Sequence, residues 1–184
     1  MTPTKGFGLH DAYGVGIRAH GPETAILFLD IDGVLNCHGS WERPRVGKHR
    51  IDRDKVALLT EVVASTGCKV VVSSTWRRDT RCRGILRYYG FRGSFHRDWR
   101  TDWQWSEDEP RRGHQIARWL ARNGSPPFAI VDDDSDMLDE QRGRFVQTTF
   151  ETGLTRDHAD RLIATLLSSG RTLADAHSNQ GQTP

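Results

Sequence analysis

Apolar residues in this chain fall into short unbroken runs separated by longer stretches of mixed character. Ala25-Ile26-Leu27-Phe28-Leu29 is bounded by charge, the pattern of a strand buried on both faces of a parallel sheet. From Asp54 to Thr66, Val56, Leu59 and Val63 recur at helical spacing, with Leu58 and Val62 alongside and Gly67 available as a C-cap, which predicts a helix. Cys68 to Val72 is a second buried run, so the three segments form a βαβ crossover. Gly113 to Asn123 resumes helical spacing through Ile116 and Leu120, with Trp119 adjacent and Gly124 closing it. Pro126-Pro127 then leads into a third strand, Phe128-Ala129-Ile130-Val131. Phe145 to Thr148 reads as a short fourth strand. Asp157 to Ser168 reads as a last helix with Leu162, Ile163, Leu166 and Leu167 on its apolar face. The expected fold class is α/β: one Rossmann-like domain over residues 25–170, mainly parallel sheet with flanking helices.

Three segments lack this patterning. Residues 1–24 hold Gly6, Gly8, Gly14, Gly16 and Gly21 and read as an irregular arm. Residues 77–110 are crowded with arginine and aromatic residues, including Trp99, Trp103 and Trp105. They read as an insertion over the sheet edge, with at most a short helix around Ile85 to Tyr89. Residues 171–184 read as a loose polar tail.

Composition narrows the class. At 184 residues, 36% hydrophobic and 27% charged, the chain suits one globular domain, and no apolar run approaches the roughly 18 residues of a membrane helix. The N-terminal apolar run is too short for a secretory segment, so the expected location is cytoplasmic, without membrane association. Cys37, Cys68 and Cys82 are odd in number and far apart, which fits reduced thiols rather than a disulfide framework or a zinc knuckle. The net charge of +2 is a remainder: residues 76–122 carry 12 basic and 6 acidic groups, while residues 123–184 carry 5 and 10. A basic middle of this kind suits anionic partners or a solvated surface.

The chemistry gathers after the buried runs, where parallel sheets bind their ligands. Asp30-Ile31-Asp32-Gly33-Val34-Leu35-Asn36 follows the first, Ser73-Ser74-Thr75 the second, and Asp132-Asp133-Asp134-Ser135-Asp136 the third. Acids at i and i+2 continuing a strand point to one side and need a counter-charge. A hard divalent cation such as Mg²⁺ satisfies them, with the acids after the third strand as further oxygen ligands.

In this order, these segments resemble the haloacid dehalogenase (HAD) superfamily of phosphohydrolases over residues 25 to about 168. DIDGVLN is similar to its first motif, DxDGxxx. Ser73 in VVVSSTWR matches the second motif, with Ser74 as the competing register. Arg112 in RRGHQIARWL matches the third, with Arg111 as its alternative, and Asp132-Asp133 in FAIVDDDSDM matches the fourth. The resemblance implies a minimal cap and gives Asp30 the role of nucleophile and Asp32 that of general acid and base. It implies Mg²⁺ held by Asp30, Asp32, Asp132 and Asp133, with Asp32 contributing its backbone carbonyl. Phosphate is held by Ser73 or Ser74 and by Arg112. Trp76, Arg77 and Asp136 are candidate substrate contacts.

The short-capped pattern, with SSTWR, VDDD and GLT before the last helix, looks most like HAD phosphatase domains of nucleic-acid end repair, of the polynucleotide kinase-phosphatase type. No P-loop for a kinase half is present. The expected substrate is a polynucleotide 3′-phosphate or a nucleotide, with single-stranded or terminal nucleic acid as partner. In the basic insertion, arginines can follow a phosphate backbone while tryptophans stack on bases or pack onto the sheet. Two alternatives stand beside this reading: a phosphatase of a small phosphorylated metabolite, and a nucleic-acid-binding module that has lost catalysis.

Overall fold

The computed structural model describes residues 24–42, 49–102 and 112–178, with side chains through residue 168. Five strands, β1 (Ile26–Leu29), β2 (Lys69–Val72), β3 (Ser94–Arg100), β4 (Phe128–Asp132) and β5 (Phe145–Gln147), form one sheet of order β3-β2-β1-β4-β5. Every pairing is parallel. The α/β Rossmann-like architecture predicted from the apolar runs is the one observed. Among the described residues, five α-helices accompany the sheet: α1 (His38–Glu42), α2 (Arg53–Thr66), α3 (Cys82–Tyr88), α4 (Arg112–Arg122) and α5 (Arg156–Ser178).

Alternation along the strands sends successive residues to opposite faces. Leu27, Leu29, Val70, Val72, Ala129 and Val131 pack with Val56, Leu59 and Val62 of α2, Leu86 of α3, and Leu162 and Leu166 of α5. Ile26, Phe28, Val71 and Ile130 pack with Ile116, Trp119 and Leu120 of α4. Because both faces are covered, β1 is apolar throughout, and β2 and β4 are apolar except for Lys69 and Asp132 at their ends. Burial raises the thiol of Cys68 and pushes that of Cys82 up to about 12. All three cysteines are unbridged.

Residues 77–102 depart from the sequence reading of 77–110, the rest of which lies outside the described residues. They do not merely lie over the sheet edge. A 3₁₀ turn (Thr75–Arg78) and α3 lead into β3, which adds an edge strand beside β2. SFHRDWR has no clean alternation, and its residues are half-buried or exposed. Charged, irregular edge strands of this kind resist pairing with other chains, and the same property removes their sequence signal. The strand is irregular in register too, Val70 facing Phe95 while Val72 faces Arg100.

The last helix also differs. It continues past Ser168 to Ser178, since a single glycine inside a helix costs only about 1 kcal/mol relative to alanine. Leu167, expected on the apolar face, is exposed, whereas Ala159, Leu162 and Leu166 are buried. Residues 1–23 of the expected arm, Trp103, Trp105 and residues 179–184 lie outside the described residues. Among the described residues, no helix is long and apolar enough to cross a membrane.

Candidate active site

Strand register brings the polar segments together. β1 runs in register with β2 as far as Leu29 and Val72, and with β4 as far as Leu29 and Val131. The hydrogen-bond ladder continues just beyond these pairs: Asp30 N donates to Val131 O (3.0 Å), Ser73 N to Leu29 O (2.9 Å) and Thr148 N to Asp132 O (2.9 Å). Asp30, Ser73 and Asp132 therefore reach the carboxyl edge of the sheet side by side, where open α/β sheets bind ligands.

The chain turns sharply after Asp32. Gly33 has φ +73°, and a Cβ there would collide with the Asp133 carboxylate, so glycine is required both by conformation and by close approach. Asn36 braces the turn, its Oδ1 accepting from Gly33 N (2.9 Å) while its Nδ2 donates to Asp32 Oδ1 (2.8 Å). Thr148, directly after β5, donates from Oγ1 to Gly33 O (2.8 Å). The other Asp32 oxygen accepts from Trp76 Nε1 at 2.9 Å. Both oxygens of Asp32 thus have fixed donors, and its carboxylate plane is held.

Asp30, Asp132 and Asp133 offer one oxygen each within 4.8 Å of one another. The Asp32 side chain is not part of this group. Burial, opposed by Arg112, raises the proton affinity of Asp30. Burial and then the charge of Asp30 push Asp132 up to about 8, and burial with Asp134 raises Asp133. Three buried or half-buried acids that resist joint ionisation, with only oxygen donors, fit a hard divalent cation. Arg112 Nη1 pairs with Asp30 and lies 2.9 Å from Asp132 Oδ2. Burial alone would weaken its proton, but Asp30 and Asp132 reverse that and raise its pKa.

The two serines separate cleanly. Ser73 Oγ is buried without a hydrogen-bond partner, an arrangement that costs stability unless a ligand completes it. Ser74 Oγ instead accepts from Trp76 N, capping the 3₁₀ turn. Arg112 opens α4, and its backbone N–H donates to Asp136 Oδ2 at 2.8 Å. Asp136, expected to touch substrate, therefore anchors a helix start. Arg111 lies outside the described residues.

Arg77 differs most from its expected role. It is 4% exposed, donating from Nη1 to Ser73 O (2.6 Å) and from Nη2 to Gln115 Oε1 (2.7 Å) and Asp102 O (3.1 Å). A residue expected at the substrate instead ties the end of β2 to α4. Burial lowers its pKa to about 10, still well above neutrality, so the internal cation persists. Trp76 likewise meets the protein's own Asp32. Trp99 packs against the core, with the guanidinium groups of Arg83 and Arg100 over its ring.

Asn36, Thr148 and the Trp76 indole were not singled out as supports of Asp32 and its turn by sequence. Asn36 carried a usable signal, since asparagine side chains readily hydrogen-bond neighbouring backbone groups in turns. Trp76 and Thr148 carried none, because only the fold brings them to the loop.

An all-parallel five-stranded sheet with an acid after β1 and a pair of acids at the end of β4 places the chain in the HAD class. Residues 26–159 match the family described as the HAD domain in Swiss Army Knife RNA repair proteins, and the chain belongs to that family. A search of curated proteins finds no match to it.

Proposed function

We propose that this domain is a Mg²⁺-dependent phosphomonoesterase that removes phosphate from a polynucleotide end, in particular a 3′-phosphate, or from a nucleotide. The observation that carries the proposal is the alignment at one sheet edge of Asp30, the Asp132-Asp133 pair, Arg112 and the partnerless Ser73 Oγ. A nucleophile, a phosphate clamp and a cation site are the parts a phosphoryl transfer needs. The family's description in RNA repair proteins supports a polynucleotide substrate.

Asp30 would attack phosphorus through its carboxylate, forming the O–P bond of an aspartyl-phosphate as the bond to the leaving oxygen breaks. Asp32 would give its proton to that oxygen. It would then take a proton from the water that attacks the aspartyl-phosphate, which releases phosphate and restores Asp30. Asn36 and Trp76 hold the Asp32 carboxyl for both transfers. Ser73 Oγ would donate to a phosphoryl oxygen, and Arg112 would present its guanidinium to the phosphate. Asp30, Asp132 and Asp133, with the backbone carbonyl of Asp32, would hold Mg²⁺. The cation supplies charge neutralisation between carboxylate and phosphate.

Hydrolysis of p-nitrophenyl phosphate in the presence of Mg²⁺ tests the activity. Asp30→Asn should reduce it to background while leaving the fold intact. An Asp30→Asn variant as active as wild type would falsify the assignment. Wild-type rates on a 3′-phosphorylated oligonucleotide, a nucleotide and a sugar phosphate then decide the substrate class, and preference for the sugar phosphate would reject the polynucleotide reading.

A further inference from the structure

We propose that the open cavity between His49 and α3 is the leaving-group subsite, holding the terminal nucleoside of a single-stranded polynucleotide. The inference rests on the phosphatase reading above and adds where the body of the substrate lies. A general acid must face the oxygen it protonates, so the leaving group extends from the Asp32 side of the site. Asp32 Oδ2 accepts from Trp76 Nε1, and the Trp76 ring lies 5.3 Å from the His49 ring. His49 is part of the wall of a cavity of about 590 Å³. The Trp76 indole and the His49 ring together span the distance from the proposed acid to this space.

The cavity has the size and chemistry of a nucleotide site. Its volume lies within the roughly 300–1,000 Å³ of small-molecule pockets. Among the described residues its lining includes Arg81, Arg83, Ile85, Tyr88 and Tyr89, and no carboxylate. Tyr88 is 65% exposed, unusual for a large aromatic residue; with Arg53 over its ring at 5.7 Å and Tyr89 packed edge-to-face against it, it offers a held aromatic surface for a base. Arg81 is already forked onto Asp79, at 3.0 Å and 2.8 Å. Arg83 is exposed, and among the described residues its guanidinium lies over the Trp99 ring, 4.9 Å from the centroid, so its charge can serve a phosphodiester. Aromatic faces interleaved with arginine match a single strand better than a peptide, which would draw on acidic or backbone-pairing groups. The same residues account for part of the basic surplus of residues 76–122.

The test uses the full chain with Tyr88→Ala and Arg83→Gln. Both residues are exposed, so the fold should survive. Affinity for a short 3′-phosphorylated oligonucleotide, read by fluorescence anisotropy, should fall about tenfold in each variant, within the range for losing one base stack. Arg83→Gln should also make the dependence of log affinity on log salt shallower by about 0.7. Turnover of glycerol phosphate, whose leaving group carries no base, should be unchanged. Wild-type affinity and salt dependence in both variants would overturn the subsite, as would an equal loss of turnover on glycerol phosphate. Weaker binding of a peptide or a sugar phosphate, with oligonucleotide binding intact, would overturn it in favour of another occupant. Absence of turnover on every phosphomonoester would instead reject the phosphatase reading, and the binding measurement would still judge the cavity.

Discussion

Trp76 and Asp32 are separated by 44 positions, yet the indole N–H is one of two donors, among the described residues, on the Asp32 carboxylate. The consequence is testable at single-residue resolution. Trp76→Phe keeps the aromatic bulk that packs against the core and removes only the donor. The carboxyl should then sample other orientations, and kcat should fall about tenfold on an alkyl phosphate, a part of the 10²–10⁴ attributed to general acid catalysis. The loss should be smaller on p-nitrophenyl phosphate, whose good leaving group needs less protonation. Equal losses on the two esters would show that Trp76 acts through packing alone. At this scale the acids were legible because a residue just past a buried parallel strand has little choice but to face the ligand edge. Which of the two serines keeps an open hydroxyl was not. Ser73 and Ser74 are equivalent as letters, and only the unpaired Oγ of one and the capping bond of the other distinguish them.

At the scale of elements, the start of α5 carries its own switch. Thr155 N donates to His158 Nδ1 at 3.2 Å, and His158 N donates to Thr155 Oγ1 at 3.4 Å, a reciprocal cap with histidine in the place usually taken by Glu or Gln. Burial, then Arg161, lowers the His158 pKa, with Lys55 acting in the same direction and Asp157 against it. A protonated Nδ1 cannot accept, so the folded state resists protonation while the unfolded chain protonates near pH 6.5. The unfolded state then binds more protons, and stability must rise with pH across this interval. The contribution is complete above about pH 6.5 and is lost as pH falls through the lower folded value. Thermal melts between pH 8 and 5 should show wild type losing more Tm than His158→Gln, in which the cap does not titrate. Parallel losses would rule the cap out. The expected core elements were legible because β1, β2 and β4 are short unbroken apolar runs and the helices that cover them repeat apolar residues at a period of about 3.6. β3 was not, since an edge strand pairs through its backbone and need not be apolar.

For the whole molecule, the acid cluster should make folding and cation binding linked. Asp30, Asp132 and Asp133 repel one another when empty and would bind Mg²⁺ only in the folded state. Such binding adds about 2.7 kcal/mol at a hundredfold excess over Kd. For a chain of this size that corresponds to a rise of several degrees in Tm. Mg²⁺ should produce it in wild type and not in Asp133→Asn, whereas Na⁺ at equal ionic strength should produce neither. A rise of equal size in the variant would place the cation elsewhere. The near-neutral total of +2 conceals this arrangement, with acids gathered after β4 and arginines along the segment that forms α3, β3 and α4. By itself, the sequence determined the parallel α/β class, the nucleophile candidate, the acid pair and the family resemblance. All of these rest on local periodicity and on residues next to strand ends. Tertiary structure alone decided that Arg77 is an internal strut, that Trp76 and Asn36 hold Asp32, that Ser73 carries the open hydroxyl, and that β3 completes the sheet. Those outcomes depend on which distant groups strand register and helix packing bring within about 3 Å of one another, a distance at which a hydrogen bond forms or fails.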